Sequence, residues 1–474
     1  MNTRRTGSAS LLRLLGRWQQ EHSRLPVYRQ LAQALRLVIL DGRLPLASRL
    51  PGERELAAAL GVSRTTIASA LGLLRDEGFL ISRHGAGSAI ALPAGSASVP
   101  TLTGSGGALD LSTAALSAGP EVLEACQRAV AQLPDYLSHT GYDPHGLLRL
   151  REIIAARYGA RGLPTSADQV MLVNGAVSGF ALVLRLLTGP GDRVVVDNPT
   201  YPLAIAAIRG ASCRPVPVSM TAQGWDPDGL AATFAQTSPR LAYLIPDYHN
   251  PTGCCMDAAT RERVAAAAAA SRTTLVVDET MVDLWYENAP PPPLAAFDKH
   301  DSVITLGSAG KTFWGGLRLG WVRASARTIA HLAQTRDSLE LGSPLLEQLA
   351  TQWLMANESD FLPARRAMLQ ARRDRCGELM ADLFPTWHFQ PPKGGLSYWV
   401  ELPDRLATAF AARAETEGIH LGAGTRFGLD GAFERNLRIP FALESTVLED
   451  ALLRIKPLWH ALNPAMPSFK RNVV

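Results

Sequence analysis

Ser308-Ala309-Gly310-Lys311-Thr312-Phe313-Trp314-Gly315-Gly316-Leu317-Arg318-Leu319-Gly320 follows directly on the apolar run Ser302–Leu306. Small residues give access to a single lysine, and a hydroxyl and a guanidinium stand on either side of it as phosphate ligands. Lysine is scarce in this chain: of 47 basic residues only five are lysine, Lys299, Lys311, Lys393, Lys456 and Lys470. An imine-forming lysine is therefore one of five, and the setting singles out Lys311.

Working outward, Asp278 ends the run Thr274-Leu275-Val276-Val277, 33 residues before Lys311. It stands where open α/β sheets place their ligands, and a carboxylate there can pair with a protonated pyridine nitrogen. Asn250-Pro251-Thr252-Gly253 follows another strand end and offers an amide to a phenolic ring oxygen. Asn174-Gly175-Ala176-Val177-Ser178 opens a helix after a strand, so its backbone N–H groups can hold a phosphate. Tyr201, in Asn198-Pro199-Thr200-Tyr201-Pro202, can stack on a ring, and Arg438, in Leu437-Arg438-Ile439-Pro440, can clamp a carboxylate. Taken singly, each has a plainer reading: a cap, a packed ring, a surface ion pair or an ordinary turn. Their order and their placement at strand ends argue for one site.

The strand-like runs Arg193–Asp197, Leu241–Pro246, Thr274–Asp278 and Ser302–Leu306 alternate with helical stretches such as Arg261–Ser271. This alternation predicts a mostly parallel sheet covered by helices. At 474 residues the chain is long enough for one large core and a satellite. No uninterrupted apolar run reaches the ~18 residues of a membrane span, so no membrane partner is expected. The five cysteines, Cys126, Cys213, Cys254, Cys255 and Cys376, form no Cys-x-x-Cys pair, which leaves no disulfide framework or zinc ribbon to read and fits a reducing cytoplasm.

The satellite is basic. Residues 1–92 hold 13 arginines and no lysine against 6 acidic residues, a net +7, while the remaining 382 residues hold 34 basic and 37 acidic. Such segregation is the footprint of a nucleic-acid module, although a solvated basic face gives the same sum. Residues 1–25 read as a leader helix. Leu25–Arg43 has helical spacing, Glu53–Leu60 makes a second helix stopped by Gly61, and Ser63 caps a third that runs to Asp76. Two helices joined by a tight glycine turn form a helix-turn-helix, and 79–90 has apolar ends around a basic glycine-rich tip, a two-stranded wing. The stretch 93–109, mostly Pro, Gly, Ser, Thr and Ala, reads as a flexible linker.

On the residues quoted above, 110–462 resembles a fold-type I aminotransferase domain, the superfamily of aspartate aminotransferase, with a smaller C-terminal α+β subdomain; 463–474 is a tail. The resemblance implies pyridoxal 5′-phosphate as cofactor, Lys311 as its internal-aldimine lysine, Asp278 at the pyridine nitrogen and Asn250 at the 3′-oxygen. It also implies Ser308, Arg318 and the Gly175, Ala176 and Val177 turn at the phosphate, Tyr201 stacked on the ring, and Arg438 on the α-carboxylate. Tyr142 resembles the tyrosine that reaches the neighbouring subunit's phosphate in a homodimer. One departure stands out: many relatives carry a tyrosine two residues after the ring-nitrogen aspartate, and here the residue beside the cofactor is Thr280.

Residues 26–92 resemble the GntR-type winged helix-turn-helix, through Leu50-Pro51-Gly52-Glu53-Arg54-Glu55-Leu56-Ala57 and Gly61-Val62-Ser63-Arg64-Thr65-Thr66. The resemblance implies DNA contacts from Arg54, Ser63, Arg64, Thr65 and Thr66, with His84 and Gly85 at the wing tip. The two together resemble the MocR (GabR-like) transcription regulators. In that family the cofactor-bearing domain dimerises and senses pyridoxal phosphate or an amino compound, and the winged domain binds double-stranded promoter DNA. Thr280 then implies weak or no transaminase turnover; an active aminotransferase with an accessory DNA-binding domain is the alternative.

Overall fold

The computed structural model describes residues 6–16, 18–19, 26–40, 44, 48–83, 87–91, 109–221 and 223–462. The wing-tip residues His84 and Gly85, most of the expected linker and the tail lie outside the described residues. The chain divides into two compact units: one takes in the N-terminal part to Ser112, Leu402–Leu437 and the part from Leu453, and the other takes in Thr113–Glu401 and Arg438–Leu452.

In the first unit, helices α1 (Ser8–Leu15), α2 (Val27–Leu40), α3 (Glu53–Leu60) and α4 (Arg64–Asp76) precede a hairpin of β1 (Leu80–Arg83) and β2 (Gly87–Ile90). The sequence punctuation sets the turn. Gly61 ends α3 in the left-handed region at φ 67°, open to glycine without strain, and the Ser63 side chain caps α4 by accepting from Thr66 N at 3.1 Å. Leu31, Leu35, Ile39, Leu56, Ile67, Leu71 and Leu74 close one core, and Leu11 and Leu15 of α1 pack into it. The described part of the leader is thus a core helix. Helix α2 also rests on the C-terminal part of the same unit, where Gln33 Nε2 donates to the Arg405 carbonyl at 3.3 Å. β1 and β2 pair antiparallel, Leu80 opposite Ile90.

One boundary is corrected. Leu109, read as the last linker residue, opens β3 (Leu109–Leu111), which pairs in parallel with Ile419–Ala423. Its N–H donates to the Gly418 carbonyl at 2.8 Å, so its backbone is committed to a sheet rather than to a tether.

The second unit opens with α5 (Pro120–Gln132) and α6 (Leu148–Ala160) and then builds its sheet. Along the chain come β4 (Val170–Val173), α7 (Ala176–Leu187), β5 (Arg193–Asn198), α8 (Pro202–Gly210), β6 (Arg214–Ser219), α9 (Pro227–Thr237), β7 (Leu241–Leu244), α10 (Ala258–Ser271), β8 (Thr274–Asp278), β9 (Val303–Ser308), the short α11 (Ala309–Thr312) and β10 (Gly320–Arg323). Their spatial order is β4-β10-β9-β8-β7-β5-β6, with β10 antiparallel to both neighbours and the pairs from β9 to β6 parallel. Every residue of β4, β7 and β10 is buried, the signature of strands covered on both faces. At the opposite edge from the strand ends that matter, arginines meet helix C-termini: Arg193 Nη1 donates to Thr237 O at 2.8 Å and Arg240 Nε to Leu187 O at 2.7 Å.

Gly320 starts the antiparallel strand where three segments crowd together. A Cβ there would sit 2.7 Å from the Gly307 carbonyl oxygen and 2.9 Å from Ala176 N. Both are backbone atoms, so neither yields cheaply. Gly320→Ala is expected to destabilise the second unit by about 1–3 kcal/mol, the cost of overpacking, read as a lower urea midpoint with the slope unchanged.

Candidate functional site

A cavity of about 150 Å³ lies at the carboxyl ends of the parallel strands. β8 delivers Asp278 and Thr280, β9 delivers Ser308 and Lys311, the loop after β7 brings Asn250, the loop after β5 brings Tyr201, and the start of α7 brings Gly175, Ala176 and Val177; all of them, with Arg318, line it. Arg438 and Tyr142 do not. Arg438 is buried and reaches the group through Asn250, while Tyr142 is 69% exposed.

Ser308 caps the short lysine helix, its Oγ accepting from Gly310 N at 3.0 Å. Lys311 Nζ donates to the Ala114 carbonyl at 2.7 Å. Burial pushes the Lys311 ammonium down to about 8, the nearby Arg438 and Arg318 guanidiniums pushing the same way and Asp278 opposing them. The amine therefore becomes an uncharged nucleophile at lower pH than an exposed lysine would. The neighbouring Thr312 anchors the helix from behind: its Oγ1 donates to Asp283 at 2.8 Å, and Asp283 is paired with Arg157 at 2.7 Å.

Asp278 is sealed, only 6% exposed. Burial pushes its carboxyl up, against hydrogen bonds and the Lys311 charge that favour the anion. Its Oδ2 accepts from Tyr243 Oη at 2.5 Å and its Oδ1 from Thr280 N at 2.9 Å. Tyr243 is the functional residue that sequence reasoning missed. It sits in the uniformly buried β7, where a ring reads as packing, and the only available signal was a hydroxyl in an otherwise aliphatic run.

At the opposite end of the cavity Gly175 adopts φ 93°, and a Cβ there would lie 3.1 Å from Arg318 Nη2. A glycine thus lets the first turn of α7 and the guanidinium come close together, with no side chain between them. Asn250 Oδ1 accepts from Arg438 Nη1 at 3.1 Å, which leaves its Nδ2 as the donor toward the cavity. Behind Tyr201, Asp197 accepts from Trp225 Nε1 at 2.8 Å and Ile245 N at 3.0 Å. Burial pushes this carboxyl up to about 7 and the adjacent His249 imidazole down to about 3, so the 3.6 Å His249–Asp197 contact is a polar contact of a neutral ring, not an ion pair.

In the winged part, Arg54, Arg64 and Thr65 are exposed and Thr66 is half-buried. Ser63 is committed to its cap, with the Thr65 and Thr66 hydroxyls at 2.7 and 2.8 Å from its Oγ. Arg64 is held only loosely, its Nε 3.8 Å from Glu53.

The donor set fits pyridoxal phosphate on its chemistry: an anion cradle at a glycine turn with a guanidinium and a hydroxyl, an amine of lowered basicity, a buried carboxylate and an amide donor. Comparison with known proteins agrees. Residues 107–455 match the family of aminotransferases class I and II, and residues 27–90 match the gntR family of bacterial regulatory proteins. Over its length the chain is similar to the uncharacterized HTH-type transcriptional regulator YdfD of Bacillus subtilis, 25% identical across 91% of this chain and 95% of that one. It is also similar to the uncharacterized HTH-type transcriptional regulator YdcR of Escherichia coli, 28% identical across 87% and 94%. Among solved structures it resembles LysN, the alpha-aminoadipate aminotransferase of Thermus thermophilus, with TM-score 0.70 and 25% identity over 76% of this chain and 94% of that one.

Because only the unprotonated amine attacks an aldehyde, the rate at which cofactor-free protein takes up pyridoxal phosphate should rise with pH through about 8 and level off above it. Lys311→Ala should abolish borohydride-trapped labelling. Labelling of Lys299 or Lys393 in the unsubstituted protein would overturn the assignment.

Proposed function

The chain belongs to the aminotransferase class I and II family, and because a GntR-family domain precedes that fold, we propose that it is a transcription regulator of the MocR type. It reads an amino compound, or pyridoxal phosphate itself, at the Lys311 site and promoter DNA at α4. The observation that carries this reading is the presence, in one chain, of a capped helix with an exposed Arg64 and a cavity that gathers Lys311, Asp278, Asn250, Ser308 and Arg318.

When bound, pyridoxal phosphate supplies an aldehyde that amines attack and a ring that withdraws electrons. The chain's own residues divide the remaining tasks. Ser308, Arg318 and the amides of Gly175–Val177 hold the phosphate; Asp278 holds a proton on the ring nitrogen; Asn250 donates to the ring oxygen; and Tyr201 covers one face. Arg438, bonded to Asn250 at the margin of the cavity, takes the effector's carboxylate. Thr280 is too short to replace a tyrosine at the ring oxygen, and with Asn250 as the donor left there the site suits retention of a ligand better than rapid turnover.

An active aminotransferase with an accessory DNA-binding domain is the second reading, favoured by the completeness of the lysine, aspartate and asparagine set. A multi-turnover assay with amino and keto acids decides between them. The proposed assembly is a homodimer, to which the exposed Tyr142 of each copy contributes, and two winged domains then call for two half-sites in the operator.

Two outcomes are expected. Arg438→Ala should lose about 2–4 kcal/mol of effector affinity, the scale of a truncated buried charge pair, while cofactor absorbance survives; unchanged affinity in a titration would refute the role. At fixed salt, saturating effector should change operator affinity by ~1–3 kcal/mol, and Lys311→Ala should erase that change. Footprints identical in both comparisons would place the enzyme reading first.

A further inference from the structure

We propose that Tyr243 is a positioning residue for the cofactor's ring nitrogen, acting through Asp278; the proposal rests on the reading of the site given above. The phenol is buried on β7, next to β8 in the sheet, with Tyr243 opposite Val276 and its hydroxyl reaching past the strand end to Asp278 Oδ2 at 2.5 Å. That separation belongs to charge-assisted O–H···O⁻ bonds, which are shorter and stronger than neutral ones.

The acceptor count gives the bond its consequence. A carboxylate offers roughly four acceptor positions. Tyr243 Oη takes one on Oδ2 and Thr280 N takes one on Oδ1 at 2.9 Å. One donor thus sits on each oxygen, and acceptor capacity remains for the ring N–H of the cofactor. The two donors fix the carboxylate plane and stabilise its charge, so that the remaining lone pairs act in a set direction. Burial and the Asp278 charge hold the phenol itself well above its ordinary value, so it remains a donor throughout the physiological range.

Thr280 gives this arrangement its particular role. Where many relatives use a phenol two residues after the aspartate to serve the ring oxygen, this chain places a threonine whose backbone N–H bonds the carboxylate. Among the described residues the phenol hydrogen-bonded to Asp278 comes instead from the neighbouring strand. Control of the ring's electron demand is thereby concentrated at the nitrogen end.

A phenol present only for packing is the competing account, since the ring also lies against Phe180, centroids 4.6 Å apart. Tyr243→Phe in the full-length protein separates the two, because it keeps the ring and removes the hydroxyl. The dissociation constant for pyridoxal phosphate should rise roughly tenfold or more, the scale of a lost hydrogen bond to a charged group. The pH midpoint of the bound cofactor's visible band should move upward, because a less firmly protonated ring withdraws fewer electrons. Incorporation of 3-fluorotyrosine at position 243 preserves shape and strengthens the donor, and should move the midpoint downward; it decides the matter if the phenylalanine variant does not fold. Thermal unfolding altered without any change in affinity or midpoint would overturn the proposal. Asp278→Asn is the control: if it leaves affinity and band unchanged, the cofactor reading itself fails. If it shifts both while Tyr243→Phe shifts neither, only the role of Tyr243 falls.

Discussion

A carboxylate withdrawn from water at the end of a parallel strand is the constraint around which the second unit is organised. Asp278 is costly to keep ionised at 6% exposure, and the sheet answers that cost with three adjacent strands. β7 supplies the Tyr243 hydroxyl, β8 the carboxylate and the Thr280 amide, and β9, whose Leu306 lies opposite Asp278, leads within five residues to the Lys311 ammonium. Parallel register brings these groups to one edge because equivalent strand ends all point the same way. The lowered basicity of Lys311 follows from the same crowding, since burial and the nearby Arg438 and Arg318 disfavour a further cation.

Behind that edge lies a second layer of charge, made of residues outside the cavity lining. Arg161 pairs with Glu279 at 2.6 Å, Arg157 bridges Asp283 and Glu358 at 2.7 and 3.1 Å, and Arg261 pairs with Asp247 at 2.6 Å with both side chains fully buried. Desolvation offsets most of the attraction in such pairs, so they are poor sources of stability. Their geometry is what they contribute: Asp283 accepts from Thr312, and that bond fixes the rotation of the short helix that carries Lys311. Glu279 and Thr280 follow Asp278 directly, so the chain leaves the strand with one residue in the charged layer and the next in the ligand layer.

What could be read in the sequence was whatever depends on chain neighbours. Lys311 among small residues, Asp278 closing an aliphatic run, and Ser63 as a cap after Gly61 are local patterns with local causes, and the structure places them at strand or helix ends. Tyr243 was illegible because β7 is buried on both faces and has no alternation to mark one side chain as different. Arg438 and Asn250 are 188 residues apart, and their hydrogen bond depends on tertiary closure. Leu109 was misread for a related reason: a stretch poor in charge and rich in small residues looks like a tether until its last residue finds a strand to pair with, here near Gly418.

Helix α4 of the gntR-family part shows the opposite arrangement from the buried site. Ser63 spends its acceptor on Thr66 N and gathers the Thr65 and Thr66 hydroxyls within 2.8 Å, which rigidifies the first turn without neutralising it. The remaining first-turn amides and the helix dipole then favour an anion at that end. Arg64 is exposed and faces Glu53 at 3.8 Å, a separation at which a solvent-screened pair is worth little. Release of Arg64 from that carboxylate therefore costs little. The first turn of α4 thus keeps its charged groups exposed and only loosely paired, whereas the groups around Lys311 are buried and fixed by hydrogen bonds to one another.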